Sequence, residues 1–233
     1  MKSASEQTAE IRGFLEQLPL FSNMGDESMR LLSSFSRFVD VEKGGLIFVQ
    51  SDPSDKCYLV RSGLISIILE SYDGREMVIN EMRTGDLFGE VGLLTNKNRS
   101  TSSVARTECE ILVIPGQTFL EVLENEPYLV RRLLELTANR LRSSSERESA
   151  LAFLDAQARL ARLLLQLERQ EVKKGYITIS QEELAQRTGL TRQTAAKVLG
   201  RWRRAGWLIT GRGRILLLKH DRFTQLEKEW LDG

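Results

Sequence analysis

Glu90 and Arg99 stand nine residues apart in LFGEVGLLTNKNRSTSSV (residues 87–104), a stretch whose Leu87, Phe88, Val91, Leu93 and Leu94 are apolar. A carboxylate only accepts hydrogen bonds, and a guanidinium only donates them. Mutual pairing in such company brings a doubtful gain, because desolvation can exceed the Coulombic benefit. A ligand that carries both hydroxyls and a negative charge gives each group its own partner: the carboxylate takes a hydroxyl and the guanidinium takes the negative charge. A second chemistry-bearing cluster lies towards the C-terminus. From Leu184 to His220 there are nine basic residues (Arg187, Arg192, Lys197, Arg201, Arg203, Arg204, Arg212, Arg214, Lys219) and no acidic one. Removing them from the totals of 33 basic and 32 acidic residues leaves 24 against 32, so the rest of the chain carries −8. That asymmetry marks a polyanion-binding segment attached to an acidic body.

The basic segment also has a backbone pattern. Ser180 and Glu183 form an S-x-x-E capping box that opens a short helix with Leu184 and Ala185 facing inward. Gly189 falls where a tight turn between helices needs a left-handed residue. Thr191 caps a second helix, RQTAAKVLGRWRRAG, which Gly206 ends. Ala195, Val198, Leu199 and Trp202 recur at 3-and-4 spacing and make its buried face, and Trp207 is expected to pack in the core with Trp202. Arg192, Gln193 and Lys197 lie opposite, at the N-terminal end, where a recognition helix reaches base edges in the major groove. Arginine suits the O6/N7 edge of guanine and glutamine the N6/N7 edge of adenine. WLITGRGRILLL then reads as a hairpin whose Gly-Arg-Gly tip, with Arg212, reaches phosphates as a wing. Ser180, Thr191, Arg192, Gln193, Lys197 and Arg212 are the expected DNA-binding set.

Other chemistries have little material. The single histidine, His220, and two cysteines far apart, Cys57 and Cys109, give no metal or iron–sulfur cluster, so no metal and no catalytic residue is expected. The histidines that a cupin-type metalloenzyme would place around its ion are missing. Two buried thiols suit a cytosolic protein. No apolar run approaches the roughly 20 residues of a membrane span, and MKSASEQTAEIRG has no signal-peptide core. The expected location is the cytoplasm.

These residues need elements to hold them. Residues 37–116 read as short strands punctuated by glycine, with an Asp73-Gly74 hairpin signal, as in a sandwich or barrel. Two short helices precede them. Residues 117–154 turn helical, with Pro127 near the start of a long second helix. A seam at Leu134, Thr137, Leu141, Ser144, Glu148 and Leu151 has coiled-coil spacing, apolar at its ends and polar in its middle. Such a seam pairs weakly unless something polar is shared there. Asp155 can cap the next helix, AQARLARLLLQLERQ.

FGEVGL, five residues, then RS resembles the phosphate-binding cassette of cyclic-nucleotide-binding domains. Followed by a long helix, LAFLD at a hinge, SQEELAQRTGLTRQT and a wing, it makes nearly the whole chain resemble the Crp–Fnr family of bacterial transcription regulators. The resemblance implies an α+β fold: a cyclic-nucleotide-binding β-roll domain at residues 1–126, a dimerisation helix and hinge at 127–154, and a winged helix-turn-helix DNA-binding domain at 155–233. It implies a homodimer controlled allosterically by cyclic AMP, acting on a palindromic operator in double-stranded DNA, with surface contacts to RNA polymerase. Glu90 would accept the ribose 2′-hydroxyl. Arg99 and Ser100 would hold the cyclic phosphate together with backbone N–H groups around Gly89 and Val91. Arg140 would approach Glu90. Ser144 and Ser145 fall where cyclic-AMP-responsive members have a Thr-Ser pair on the adenine, one residue from each subunit.

The chain departs from the family pattern in two places. Thr101 and Ser103 stand where alanine and an aliphatic residue are usual, so cyclic GMP, with its extra amino group and carbonyl, is a second candidate ligand. A vestigial pocket, or one for another effector, is the alternative those hydroxyls raise. In the recognition helix Arg192, Gln193 and Lys197 replace Arg-Glu and a later Arg, so an altered base is expected where Gln193 lands.

Overall fold

A computed structural model describes residues 3–71, 74, 76–170 and 175–228. The chain divides into two compact units, Met1–Leu141 and Arg142–Gly233.

The first unit opens with α1 (Ala4–Glu16) and α2 (Asp26–Phe35). Ser3 caps α1 in a full capping box, its hydroxyl accepting from Glu6 N while the Glu6 carboxylate accepts from Ser3 N. Strands β1 (Arg37–Val41), β2 (Leu46–Phe48), β3 (Lys56–Ser62), β4 (Ile65–Glu70), β5 (Glu76–Met82) and β6 (Leu87–Phe88) follow, then α3 (Glu90–Thr95), β7 (Ser102–Ala105) and β8 (Cys109–Pro115). They form two four-stranded antiparallel sheets, ordered β1-β8-β3-β6 and β2-β7-β4-β5. The β4–β5 hairpin pairs Glu70 with Glu76. Of its expected Asp73-Gly74 turn, Asp73 lies outside the described residues, and Gly74 has φ 75°.

In the first sheet β3, β6 and β8 are buried on both faces, and the period-2 alternation of strands shows how. Cys57 and Leu59 of β3, Leu112 and Ile114 of β8, and Leu87 of β6 pack with Ile11, Leu15, Met29 and Leu32 of α1 and α2. Their neighbours Tyr58, Val60, Ile111, Val113 and Phe88 turn the other way, into the interior of the roll, where they meet Phe48, Ile65, Ile67 and Met82. This is why these strands read as continuous apolar runs rather than as alternating ones. Helix α4 (Gly116–Asn125) adds Phe119 and Val122 to the outer layer, and α5 (Pro127–Phe153) adds Leu129 and Leu133.

The second unit contains α6 (Ala156–Gln170), β9 (Ile177–Thr178), α7 (Gln181–Thr188), α8 (Arg192–Arg204), β10 (Leu208–Gly211), β11 (Arg214–Leu217) and α9 (His220–Lys228). Asp155 Oδ1 accepts from Ala158 N at 2.8 Å and caps α6. The three strands form one antiparallel sheet, β10-β11-β9. Its core joins Leu160 and Leu164 of α6 to Leu184, Ala195, Leu199, Trp202, Leu208, Ile215 and Phe223. Trp202 is buried, edge-on to Phe223 at 5.1 Å and stacked with Trp207 at 6.2 Å, so both tryptophans pack in the core as expected. No helix among the described residues is long and apolar enough to cross a membrane.

Candidate functional site

Glu90 is the first residue of α3, one residue beyond the end of β6, and only 2% of it is exposed. Gly89, between them, has φ 77°, and a Cβ there would lie 2.9 Å from Arg99 Nη1 and 3.1 Å from Tyr58 Cδ2. Both conformation and space therefore require glycine. The Glu90 carboxylate is held by Arg140 of α5, whose Nη1 donates to Oε1 at 2.6 Å. Arg140 Nη2 donates to the Leu87 carbonyl and also faces Met82 Sδ at 3.7 Å. One guanidinium thus ties the long helix to the end of β6 and to the first residue of α3.

Arg99 is placed from the opposite side. Its backbone is clamped to the loop before β3: Ser51 N donates to Arg99 O at 2.8 Å, and Arg99 N donates to Asp52 O at 2.8 Å. Asp52 Oδ2 in turn accepts from Val49 N at 2.9 Å and closes that loop. The Arg99 side chain, 5% exposed as a residue, runs inward and donates from Nη1 to Gly89 O at 2.5 Å and from Nη2 to Lys56 O at 2.7 Å. Its guanidinium lies over the Phe48 ring, 4.4 Å from the centroid, and Phe48, Tyr58 and Phe88 form an aromatic bed. Nε is buried with no hydrogen-bond partner. Among the described residues no carboxylate comes within ion-pair distance of Arg99, and it does not pair with Glu90. A buried cation of this kind is costly unless an anion joins it. The structure therefore holds an acceptor and a cation close together through separate partners, which suits a ligand bearing a hydroxyl and an anionic group.

Cys57, beneath this region, is buried, and burial followed by the charge of Glu90 pushes its thiol well above the ordinary range. Cys57 and Cys109 are both free and buried, as structural thiols are. Other expected site residues sit less deeply. Val91, in α3, is 51% exposed. Ser100 is exposed. Ser144 and Ser145 belong to the second unit, where the Ser144 hydroxyl faces Glu148 Oε1 at 3.4 Å and Ser145 is exposed.

Gly92 bounds the same region. A Cβ there would meet Ser54 Oγ at 1.9 Å and the Lys97 carbonyl at 2.8 Å. Gly92→Ala is expected to destabilise the first unit by about 1–3 kcal/mol, through overpacking against backbone that cannot retreat. Thermal unfolding of the variant without ligand checks this, and an unchanged midpoint would contradict the packing.

In the second unit the helix-turn-helix is capped as read from its sequence, with one difference. The Ser180 hydroxyl accepts from Glu183 N at 3.1 Å, but the Glu183 carboxylate faces Arg187 at 4.0 Å instead of returning to Ser180 N. The reciprocal half of that capping box is therefore not formed, because a cation one turn on competes for the carboxylate. Gly189 ends α7 at φ 65°. Thr191 Oγ1 accepts from Thr194 N at 3.1 Å and starts α8. Ala195, Val198, Leu199 and Trp202 are buried, while Arg192, Gln193 and Lys197 are exposed on the opposite side near the N-terminus. Arg212 is exposed at the β10–β11 turn, between the paired Gly211 and Arg214. Arg201 Nη1 donates to Gln157 of α6 at 3.3 Å, which braces α8 from behind.

Sequence reasoning missed α3 and β7. It also missed Phe48, whose ring lies under Arg99 and which the β2–β7 ladder carries there from far along the chain. Its only signal was an aromatic residue in a strand segment.

Residues 38–126 match the cyclic nucleotide-binding domain family, and residues 158–226 match the Crp-like helix-turn-helix domain family. The chain is 32% identical over 197 residues to the cyclic AMP receptor protein of Thermus thermophilus, covering 84% of this chain and 91% of that one. It is 27% identical over 217 residues to the CRP-like cAMP-activated global transcriptional regulator of Mycobacterium tuberculosis, covering 91% and 97%. The structure of the c-di-GMP-responsive global regulator CLP of Xanthomonas campestris superposes with a TM-score of 0.74 at 26% identity, covering 83% and 99%. With a buried acid and a buried arginine that does not pair with it in the cassette, a basic capped helix-turn-helix beyond the long helix, and these likenesses along nearly its whole length, the chain belongs to the Crp–Fnr family of transcription regulators.

Proposed function

We propose that this regulator is a cytoplasmic homodimer that binds a palindromic DNA operator under the control of a cyclic nucleotide held at Glu90 and Arg99. The carrying observation is the buried Arg99 guanidinium, which has an unpartnered Nε and, among the described residues, no carboxylate within ion-pair distance. A cyclic phosphate supplies the missing anion, together with Ser100 and the backbone N–H groups around Gly89 and Val91. The ribose 2′-hydroxyl donates to Glu90, which Arg140 fixes in place. The family resemblance carries Ser144 and Ser145 over as contacts to the base.

The proposed division of labour gives residues 1–126 to the ligand, 127–154 to dimerisation and 155–233 to DNA. Arg192, Gln193 and Lys197 read base edges, with Thr191 and Ser180 at the two helix N-termini and Arg212 on phosphates. RNA polymerase is the expected further partner. A ligand shifts the DNA-binding equilibrium only through its differential affinity for two arrangements of the dimer. Mobility shift on a palindromic operator tests the gating. Cyclic AMP is expected to raise affinity by about tenfold or more, the range of coupling energies in allosteric proteins. Equal binding with and without cyclic AMP and cyclic GMP would sink the reading.

A different effector is the second reading, favoured by the likeness to a regulator described as c-di-GMP-responsive and by the hydroxyls of Thr101 and Ser103. Calorimetric titration with cyclic AMP, cyclic GMP and c-di-GMP separates the two readings. Heat with c-di-GMP alone would favour the second.

A further inference from the structure

We infer that Ser103 reads the base of the bound cyclic nucleotide and sets the preference between purines. The inference rests on the nucleotide reading of the pocket and adds a residue to it.

Ser103 is fully buried, yet its hydroxyl has no hydrogen-bond partner. Its direction follows from the ladder. Ser103 pairs with Phe48 of β2 on one side and with Ile67 of β4 on the other. Directly paired residues of an antiparallel sheet project to the same face. Phe48 and Ile67 both belong to the cluster inside the roll, so the Ser103 side chain enters that interior as well. Phe48 is also the ring on which the Arg99 guanidinium rests, at 4.4 Å. The hydroxyl and the guanidinium are thus neighbours of one aromatic side chain.

The adjacent serine shows what a merely structural hydroxyl looks like here. Ser102 projects to the other face, and its Oγ accepts from Gln50 N at 2.9 Å. Ser103 has no such partner. A hydroxyl left unmatched in an apolar interior is a standing cost, which an exocyclic or ring group of a base can remove by donating or accepting. Adenine and guanine present different groups at their edges, so a fixed hydroxyl satisfies one better than the other.

The test is titration of wild type, Ser103→Ala and Ser102→Ala with cyclic AMP and cyclic GMP, alongside thermal unfolding of each without ligand. The wild-type preference between the two nucleotides is expected to shrink about fivefold or more in Ser103→Ala, of the order expected for one buried hydrogen bond. The unfolding midpoint of Ser103→Ala should stay level or rise, because no bond is lost. Ser102→Ala should lower the midpoint and leave the preference unchanged. A wild-type preference within twofold overturns the inference. So does a preference that survives Ser103→Ala, including an equal loss for both nucleotides, which would place the hydroxyl on sugar or phosphate. If wild type binds neither nucleotide, the reading of the pocket fails and this inference falls with it.

Discussion

Arg99→Gln is expected to weaken cyclic-nucleotide binding by about two orders of magnitude while the ligand-free domain stays folded. Hydrogen bonds to a charged group contribute roughly 1.5–3 kcal/mol each, and removing the cation takes both the bonds and the charge from a phosphodiester. Stability responds differently. Arg99 now donates to Gly89 O and Lys56 O and rests on Phe48, and all of this is partly lost. Against that loss stands the desolvation of a buried guanidinium that makes no ion pair among the described residues, which the neutral glutamine does not suffer. The two effects oppose one another, so the unfolding midpoint should move by a few degrees at most. Calorimetric titration and differential scanning calorimetry of the same preparation check both halves. A variant that binds cyclic AMP like wild type would remove Arg99 from the phosphate. One that fails to fold would make the arginine a structural residue.

What the sequence made legible, and what it hid, follows from how local each signal is. The helix-turn-helix was readable because its signals lie within one turn of what they control: Ser180 and Thr191 cap the helices they precede, and Gly189 bends the chain where it stands. The half-formed capping box escaped because Arg187, one turn beyond Glu183, decides where that carboxylate points. The cassette was recognisable, but its support was not. The Glu90–Arg140 bond spans 50 residues, and only the family resemblance suggested it. Strand β7 was hidden by Ser102 and Ser103, which are poor strand signals; pairing with β2 and β4 on both sides outweighs their propensity. The same ladder puts Phe48 under Arg99, a placement that neither residue announces alone. Glu90, Arg99 and Ser103 are polar residues among apolar neighbours, and each is buried in or against the roll.

Leu134→Glu combined with Leu141→Glu is expected to leave a monomer at micromolar concentration and to lower affinity for a palindromic operator by about a thousandfold. Leu129 and Leu133 of α5 pack against their own unit. Leu134 and Leu141 point away, with 65% and 68% exposed. One exposed leucine is ordinary, but two at heptad spacing on a long helix make a coiled-coil seam, which Val130 (37% exposed) and Leu151 (40% exposed) extend. Full burial of a leucine contributes roughly 1.5–3 kcal/mol. In the proposed dimer, two from each chain outweigh what the polar middle of the seam can supply, and glutamates there add like-charge repulsion. DNA affinity falls further than any single base contact would predict, because two joined recognition helices engage adjacent half-sites at high effective concentration and a lone one does not. Sedimentation and mobility shift read the two losses separately. A persistent dimer would place the interface elsewhere, and a monomer with full operator affinity would remove dimerisation from recognition. Nucleotide titration of the same variant separates ligand uptake from its effect on DNA binding. Glu90, Arg99 and Arg140 lie in one unit of one chain, so the monomer should still take up nucleotide through them. Its residual DNA binding should then no longer respond to that nucleotide, because the arrangement of two recognition helices on which the ligand is proposed to act has gone.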